Sequence, residues 1–302
     1  MCTIGAIIVT YNRLQKLKTA LQAYENQLFK PQYILVVNNN SMDGTKDYLE
    51  VWEKESSEIE HRVLHLRENT GGSGGFYEGM HVAETMNSDW IWVADDDAYP
   101  AKDCFQILVN FMKRSSVTDI AALCSAVYTE GRIDTWHRRR FGKRCGVVRV
   151  ENCIDVKEYE RNIFELDLFS YVGTLIQKEV ILKVGLPLKD FFISYDDSEH
   201  SIRVRKQGRI MCLPEAKVIH DSIESAEDII TWKKYYALRN KIYSYYLHFG
   251  LLQSGFQRLY YYIKYHKNKV LNEMTKRAFD HARHGILGVD EVYKPGWKGN
   301  VV

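Results

Sequence analysis

Residues 90–100 read WIWVADDDAYP. An apolar run rich in Trp, Ile and Val ends in three adjacent carboxylates. A strand covered on both faces reads as a near-continuous apolar run, so residues 90–94 are expected inside the protein. Three like charges cannot follow them inward without a partner. The run is therefore expected to emerge at a site that receives positive charge. In an extended segment residues i and i+2 share a face. That pairs Asp95 with Asp97 as a grip for a hard divalent ion, Mg2+ or Mn2+, which takes oxygen ligands. Asp96 is left to meet a ligand or a nearby Arg. The alternative is an acidic loop in water.

Working outward, IGAIIVTY (4–11) and YILVVNNN (33–40) have the same buried-strand character, and RVLHLREN (62–69) is a third strand. Between them Leu14, Leu17, Leu21 and Tyr24 recur at helical spacing after Asn12, which reads as an N-cap. SMDGTKDYLEVW (41–52) starts a second helix with Ser41 or Asp43 as cap. NTGGSGG (69–75) reads as a flexible turn before a helix over FYEGMHVAETMN (76–87). Strands alternating with helices predict an α/β fold, a mostly parallel sheet with helices on both faces. From Tyr128 to Leu166 the pattern degrades into irregular structure or short hairpins laid over the sheet. A strand and helix at 169–185, a helix at 191–208 and a last strand at 209–222 follow. Beyond Glu224 the chain reads as helical.

A chain of 302 residues holds one large domain with an appendage, or two small domains. Its 45% hydrophobic and 26% charged residues are ordinary for a soluble globular protein. A net charge of +2 and two acidic clusters argue against a nucleic-acid partner. The six cysteines form no C-x-x-C pair, which gives neither a zinc knuckle nor a disulfide framework. Most read as buried thiols of a reducing compartment. MCTIGAIIVTYN lacks a basic n-region, and no window approaches the ~20 apolar residues of a membrane span. A cytoplasmic protein is expected.

In an open parallel sheet, ligands bind at the carboxyl ends of the strands. Each strand here ends in polar residues: Thr10 with Asn12, then Asn38 to Ser41, then Asn69 with its glycines, then the aspartates. Any one is explained by a cap or turn; four in succession build a pocket. Gly71, Gly72, Gly74 and Gly75 permit close backbone approach before a helix N-terminus, which suits a phosphate or sugar; a plain turn is the rival reading. YDDSEH (195–200) is either an acidic first helical turn or a carboxylate general base near a reacting hydroxyl. His220 closes the final strand as a structural residue or as a metal ligand. Arg138, Arg139, Arg140, Lys143 and Arg144 form a solvated face or meet a lipid diphosphate. The Tyr- and Lys-rich tail (235–267) packs on the domain or a second copy of the chain, or lies on a membrane surface.

These motifs, in this order over about residues 4–245, resemble the inverting GT-A nucleotide-sugar glycosyltransferases of glycosyltransferase family 2. The N-x-GGSGGF and DDD forms resemble the galactofuranosyltransferase-like branch. The resemblance implies a Rossmann-like catalytic domain over 1–225, its donor half about 1–100 and its acceptor half about 101–225, with a helical extension over 226–302. It implies donor contacts from Thr10, Asn12, Arg13, Asn38, Asn40, Asn69, Gly71, Gly72, Gly74, Gly75, Asp95 and Asp96. Asn38 stands where the family usually has an Asp that reads uracil; an amide can still accept from N3–H and donate to O4. Asp95, Asp97 and His220 are the implied ligands of Mn2+ or Mg2+. Asp197 is the implied catalytic base, with Asp196, His200 and Trp136 toward the acceptor. The implied activity moves a sugar, galactofuranose first, from a UDP-sugar to a glycan or polyprenyl-linked acceptor in cell-surface polysaccharide synthesis. Rhamnosyl or galactopyranosyl transfer, and metal-dependent nucleotidyl transfer, are the rivals. Lipid-linked acceptors imply a peripheral place on the inner face of the cell membrane.

Overall fold

The structure is a computed structural model that describes residues 2–114, 117–222 and 229–300. Its first part alternates β1 (Ile4–Thr10), α1 (Leu14–Glu25), β2 (Tyr33–Asn38), α2 (Thr45–Trp52), β3 (Glu60–His65), α3 (Gly71–Ala83) and β4 (Trp90–Asp95). Along β1 the side chains divide between two cores. Ile4, Ala6 and Ile8 pack with Leu17, Leu21 and Tyr24 of α1. Ile7 and Val9 pack with Phe76 and Met80 of α3. Each aliphatic side chain so buried contributes about 2 kcal/mol, which fixes the strand between its two helix layers.

β5 (Ala98–Pro100), α4 (Cys104–Arg114), β6 (Ile120–Thr129) and β7 (Arg132–Ile133) follow, then β8 (Arg138–Arg144), β9 (Val148–Cys153), β10 (Phe164–Leu166) and β11 (Leu168–Phe169). Next come β12 (Thr174–Gln177), α5 (Lys178–Val184), α6 (Asp196–Arg205) and β13 (Arg209–His220). β14 (Ile229–Thr231), α7 (Lys233–Tyr265), α8 (Lys269–His284) and β15 (Lys298–Asn300) complete the described elements. The main sheet runs β10-β13-β6-β12-β4-β1-β2-β3. β3, β2, β1 and β4 are parallel, whereas β12 enters antiparallel between β4 and β6. From β1 the chain winds outward to β2 and β3, then returns to β1's other side at β4. The carboxyl ends of β1 and β4 therefore flank a switch point, where such sheets place ligands.

Three local expectations need correction. The glycine stretch is not a flexible turn: α3 begins at Gly71. A Cβ on Gly75 would lie 2.5 Å from Val9 Cγ1, and one on Gly74 would lie 2.4 Å from Thr70 Oγ1. Absent side chains let this helix sit close on the sheet. Asn12 does not cap α1; its Oδ1 accepts from Met42 N at 2.7 Å. Asp43 serves the starts of two helices instead, with Oδ2 accepting from Leu14 N and Oδ1 from Thr45 N. The stretch after Tyr128 holds a short hairpin, one of the two forms expected there: β8 and β9 pair antiparallel, and β11 joins them in a separate sheet.

The basic run is the third correction. Arg138 is fully buried and donates to the carbonyls of Ser125, His137, Val172 and Gly173 at 2.7–3.0 Å. Arg139 is buried against Glu151 at 2.5 Å. Neither belongs to a solvated face or waits for a lipid. All six cysteines are free thiols, three of them buried, while Cys145 and Cys153 are exposed.

The tail divides. The first half of α7 buries Tyr235, Tyr236 and Tyr245 completely. Gly250 interrupts the helix with φ 79° and ψ 178°. Beyond it Leu251, Leu252, Leu259, Tyr260, Tyr262 and Ile263 are exposed. The expected boundary between residues 225 and 226 lies outside the described residues.

Candidate active site

β4 ends at Asp95, and Asp96 and Asp97 lie in a turn. The alternation expected of an extended trio therefore stops at Asp95. Asp96 is completely buried; its Oδ2 accepts from Thr10 Oγ1 at 2.6 Å, and its Oδ1 lies 3.1 Å from Arg13 Nε. Asp97 Oδ2 meets the same guanidinium through Nη1. One Arg at the end of β1 thus bridges two carboxylates at the end of β4. Asp96 thus meets the nearby Arg expected for it, while its buried Oδ1 makes no hydrogen bond of good geometry.

Asp97 Oδ1 is buried without a hydrogen-bond partner, 3.6 Å from His220 Nε2. Two ligands each about 2.1 Å from one ion stand about 3–4 Å apart, so this orphaned oxygen and imidazole fit a divalent cation. Asp95 lies beside them, its carboxyl pushed up to about 8 by burial and the Asp97 charge. Burial also raises Asp96, to about 6. For Asp97 burial is outweighed by His220 and Arg13, which hold it below the usual carboxylate range.

A second donor set shares His220. Asp134, His137 and His220 place ligand atoms within 4.8 Å of one another. His137 already pairs with Asp134 at 3.3 Å and with Ser170 Oγ at 2.7 Å. Its partners are filled where those of Asp97 are not, so Asp97 and His220 are the better cation ligands. The D-x-x-H spacing at 134–137 was the signal that sequence reading passed over.

Asn39, between the two expected donor contacts, organises the next strand end. It is buried; Nδ2 donates to Asn69 Oδ1 and the Gly71 carbonyl, and Oδ1 accepts from Thr70 N. Asn69 Oδ1 also accepts from Gly71 N at 2.9 Å. Asn38, expected to read a base, is held from within the loop: Oδ1 accepts from Ser41 N, and Nδ2 pairs with His65 Nδ1. Asn40 is exposed with φ 60°. Among the four glycines Gly72 alone faces open space, whereas a Cβ on Gly71 would fall 1.9 Å from the Phe192 carbonyl oxygen.

Asp196 and Asp197 open α6. Asp197 Oδ1 accepts from Ser198 N and from Ser198 Oγ at 3.0 Å. Ser198 Oγ in turn receives Arg139 Nη2 at 2.5 Å. Burial raises Asp197 above the usual carboxylate range despite Arg139 nearby. Asp196 is pushed up to about 7 by burial and the Asp197 charge. Behind them Glu151 gathers Arg139, Lys241, Tyr195 and Tyr245, and those cations outweigh burial to keep it charged. His200 does not face an acceptor: it is completely buried, bonded to Tyr171 OH and the Gly185 carbonyl, and burial pushes it down to about 3. Trp136 is exposed, with the Arg139 guanidinium 5.3 Å from its ring.

The sheet order, the switch-point carboxylates and the helix layers define a GT-A fold. The chain belongs to glycosyl transferase family 2, whose sequence profile matches residues 6–181. It is 27% identical over 209 residues to galactofuranosyltransferase GlfT1 of Mycolicibacterium smegmatis, an alignment covering 68% of this chain and 66% of that protein. It is 22% identical over 268 residues to galactofuranosyltransferase GlfT2 of the same organism, covering 82% of the chain but 41% of GlfT2. The chain thus spans less than two thirds of these curated relatives. Solved structures of like fold include GalNAc-T7 with UDP, GalNAc and Mn2+ (TM-score 0.61, 13% identity, 95% of this chain and 56% of that one). Another is residues 1–349 of S. aureus TarS with UDP-GlcNAc (TM-score 0.58, 15% identity, 93% and 74%). At these identities the likeness is one of fold.

Proposed function

We propose that the chain is an inverting, divalent-metal-dependent glycosyltransferase that moves galactofuranose from a UDP-donor to a hydroxyl of a glycan or lipid-linked acceptor. The carrying observation is the buried, unpartnered Asp97 Oδ1 facing His220 at the switch point, with the raised carboxylate of Asp197 on a separate element. Asp97, His220 and Asp95 would hold Mn2+ or Mg2+, which when bound neutralises a departing diphosphate. Arg13 fixes the aspartate turn. Asp197, held by Ser198, takes the proton from the acceptor hydroxyl, which then attacks the anomeric carbon opposite the diphosphate and inverts it. The galactofuranosyltransferase relatives favour that sugar; rhamnose and galactopyranose are its rivals.

A screen of UDP-galactofuranose, UDP-galactose and dTDP-rhamnose with Mn2+ tests this. UDP release from UDP-galactofuranose, abolished in Asp197→Asn, is expected. Release of diphosphate instead of UDP would replace the reading with nucleotidyl transfer.

The tail favours a membrane surface in this reading. The exposed apolar side chains beyond Gly250 stand among Arg258, Lys264 and Lys267, all exposed. No described helix is long and apolar enough to cross a membrane, whereas apolar and cationic residues together suit its interface. Flotation with anionic vesicles at low and high salt tests it; a second copy of the chain on this face would give a dimer and no flotation.

A further inference from the structure

The segment that leads into α6 has an unusual backbone. Phe192, Ser194 and Tyr195 have φ of 64°, 68° and 71°, a region that side-chain-bearing residues rarely adopt. Such a segment persists only where its surroundings over-determine it. Here the holding group comes from α7. Asn240 is completely buried. Its Nδ2 lies 3.0, 3.0 and 2.8 Å from the carbonyl oxygens of Phe191, Ile193 and Ser194.

Arg239 decides which way that amide faces. Its Nε donates to Asn240 Oδ1 at 2.9 Å, so the NH2 end must point at the segment. Its Nη2 donates to the Phe191 carbonyl at 3.1 Å, and its Nη1 to that of Gly288 at 2.7 Å. The guanidinium lies over the rings of Tyr236 and Tyr235, at 4.9 and 5.5 Å. On the far side, the Phe192 carbonyl accepts from Ser73 N at 3.1 Å. At its end the Tyr195 carbonyl accepts from Glu199 N and starts the helix that carries Asp196 and Asp197.

We propose that Asn240, aimed by Arg239, is a positioning residue that holds segment 191–195 in its left-handed path and so sets where Asp197 stands. This rests on the reading of Asp197 as the base. The Arg239-Asn240 pair lies on α7, in the helical extension, yet the carbonyls it serves are 46–49 residues away.

The test compares Asn240→Ala, Asn240→Asp, Ser194→Gly and the double variant Asn240→Ala with Ser194→Gly. Asparagine's amide is needed because aspartate presents only acceptors to three carbonyl oxygens. Both Asn240 variants are expected to lower kcat for UDP release from UDP-galactofuranose about a hundredfold, with UDP affinity by calorimetry unchanged. Glycine adopts positive φ freely, so Ser194→Gly is expected to restore part of the loss in the double variant. Amide exchange, which needs no donor, is expected to rise over 191–198 in Asn240→Ala and stay constant in the rest of α7. Unchanged exchange there, or a loss that Ser194→Gly leaves untouched, would overturn the proposal. Asp197→Asn in the same series separates the two ideas: if it keeps turnover while Asn240→Ala loses it, the base assignment fails and the holding role stands.

Discussion

Two acidic clusters frame the candidate site, and they are built in opposite ways. Asp96 and Asp97 meet a guanidinium, and Asp97 also faces an imidazole. Asp196 and Asp197 sit on a helix start and lean on hydroxyl and backbone donors, with Arg139 acting through Ser198. Asp97 is held low and Asp197 is raised. A carboxylate surrounded by cations is suited to hold positive charge. One buried and raised is suited to take a proton and give it up again. In the proposed reading, the same residue type in two environments divides the work of binding and of proton transfer.

The contrast breaks most sharply at Asp197. Asp197→Asn should lower kcat about 10³-fold and leave UDP affinity unchanged in calorimetry; lost affinity with retained turnover would reverse the roles. At the other cluster, His220→Ala should weaken Mn2+ binding about tenfold or more, read by titration of Mn2+ with UDP present. The pH profile sharpens the same point. As the proposed base Asp197 would act only when deprotonated, and burial raises it, so kcat/KM should fall on acidification at a pH above the ordinary carboxylate range. An acid limb near pH 4 would remove the argument from burial.

Smaller effects test the scaffold. Gly75→Ala crowds Val9 and should cost about 1–3 kcal/mol in denaturant unfolding, whereas Gly72→Ala faces open space and should cost almost nothing. Asp43→Ala, which strips the first turns of α1 and α2, should cost about 1 kcal/mol.

Much of the frame was legible because buried strands leave long apolar runs and helices leave spaced ones. The position of the Asp95–Asp97 trio was legible because charge after such a run needs a reason. What stayed hidden depends on partners far away in the chain. Arg138 looks like one charge in a run until the carbonyls of Ser125, Val172 and Gly173 close around it. His200 looks like a ligand for an acceptor until Tyr171 and Gly185 take both ring nitrogens. Three of the glycines suggested a cradle but serve close packing. The turn at Asp96 defeats the alternation rule because a strand's end is the least predictable part of it.

Arg138 has one more consequence. It ties β6, β8 and the segment before β12 together, mainly through backbone carbonyls. A guanidinium presents five N–H donors in one rigid fork, so a single side chain serves four backbone oxygens from separate segments. Loss of this one side chain would leave several buried carbonyls without a donor at once, so these segments are held in place together or not at all.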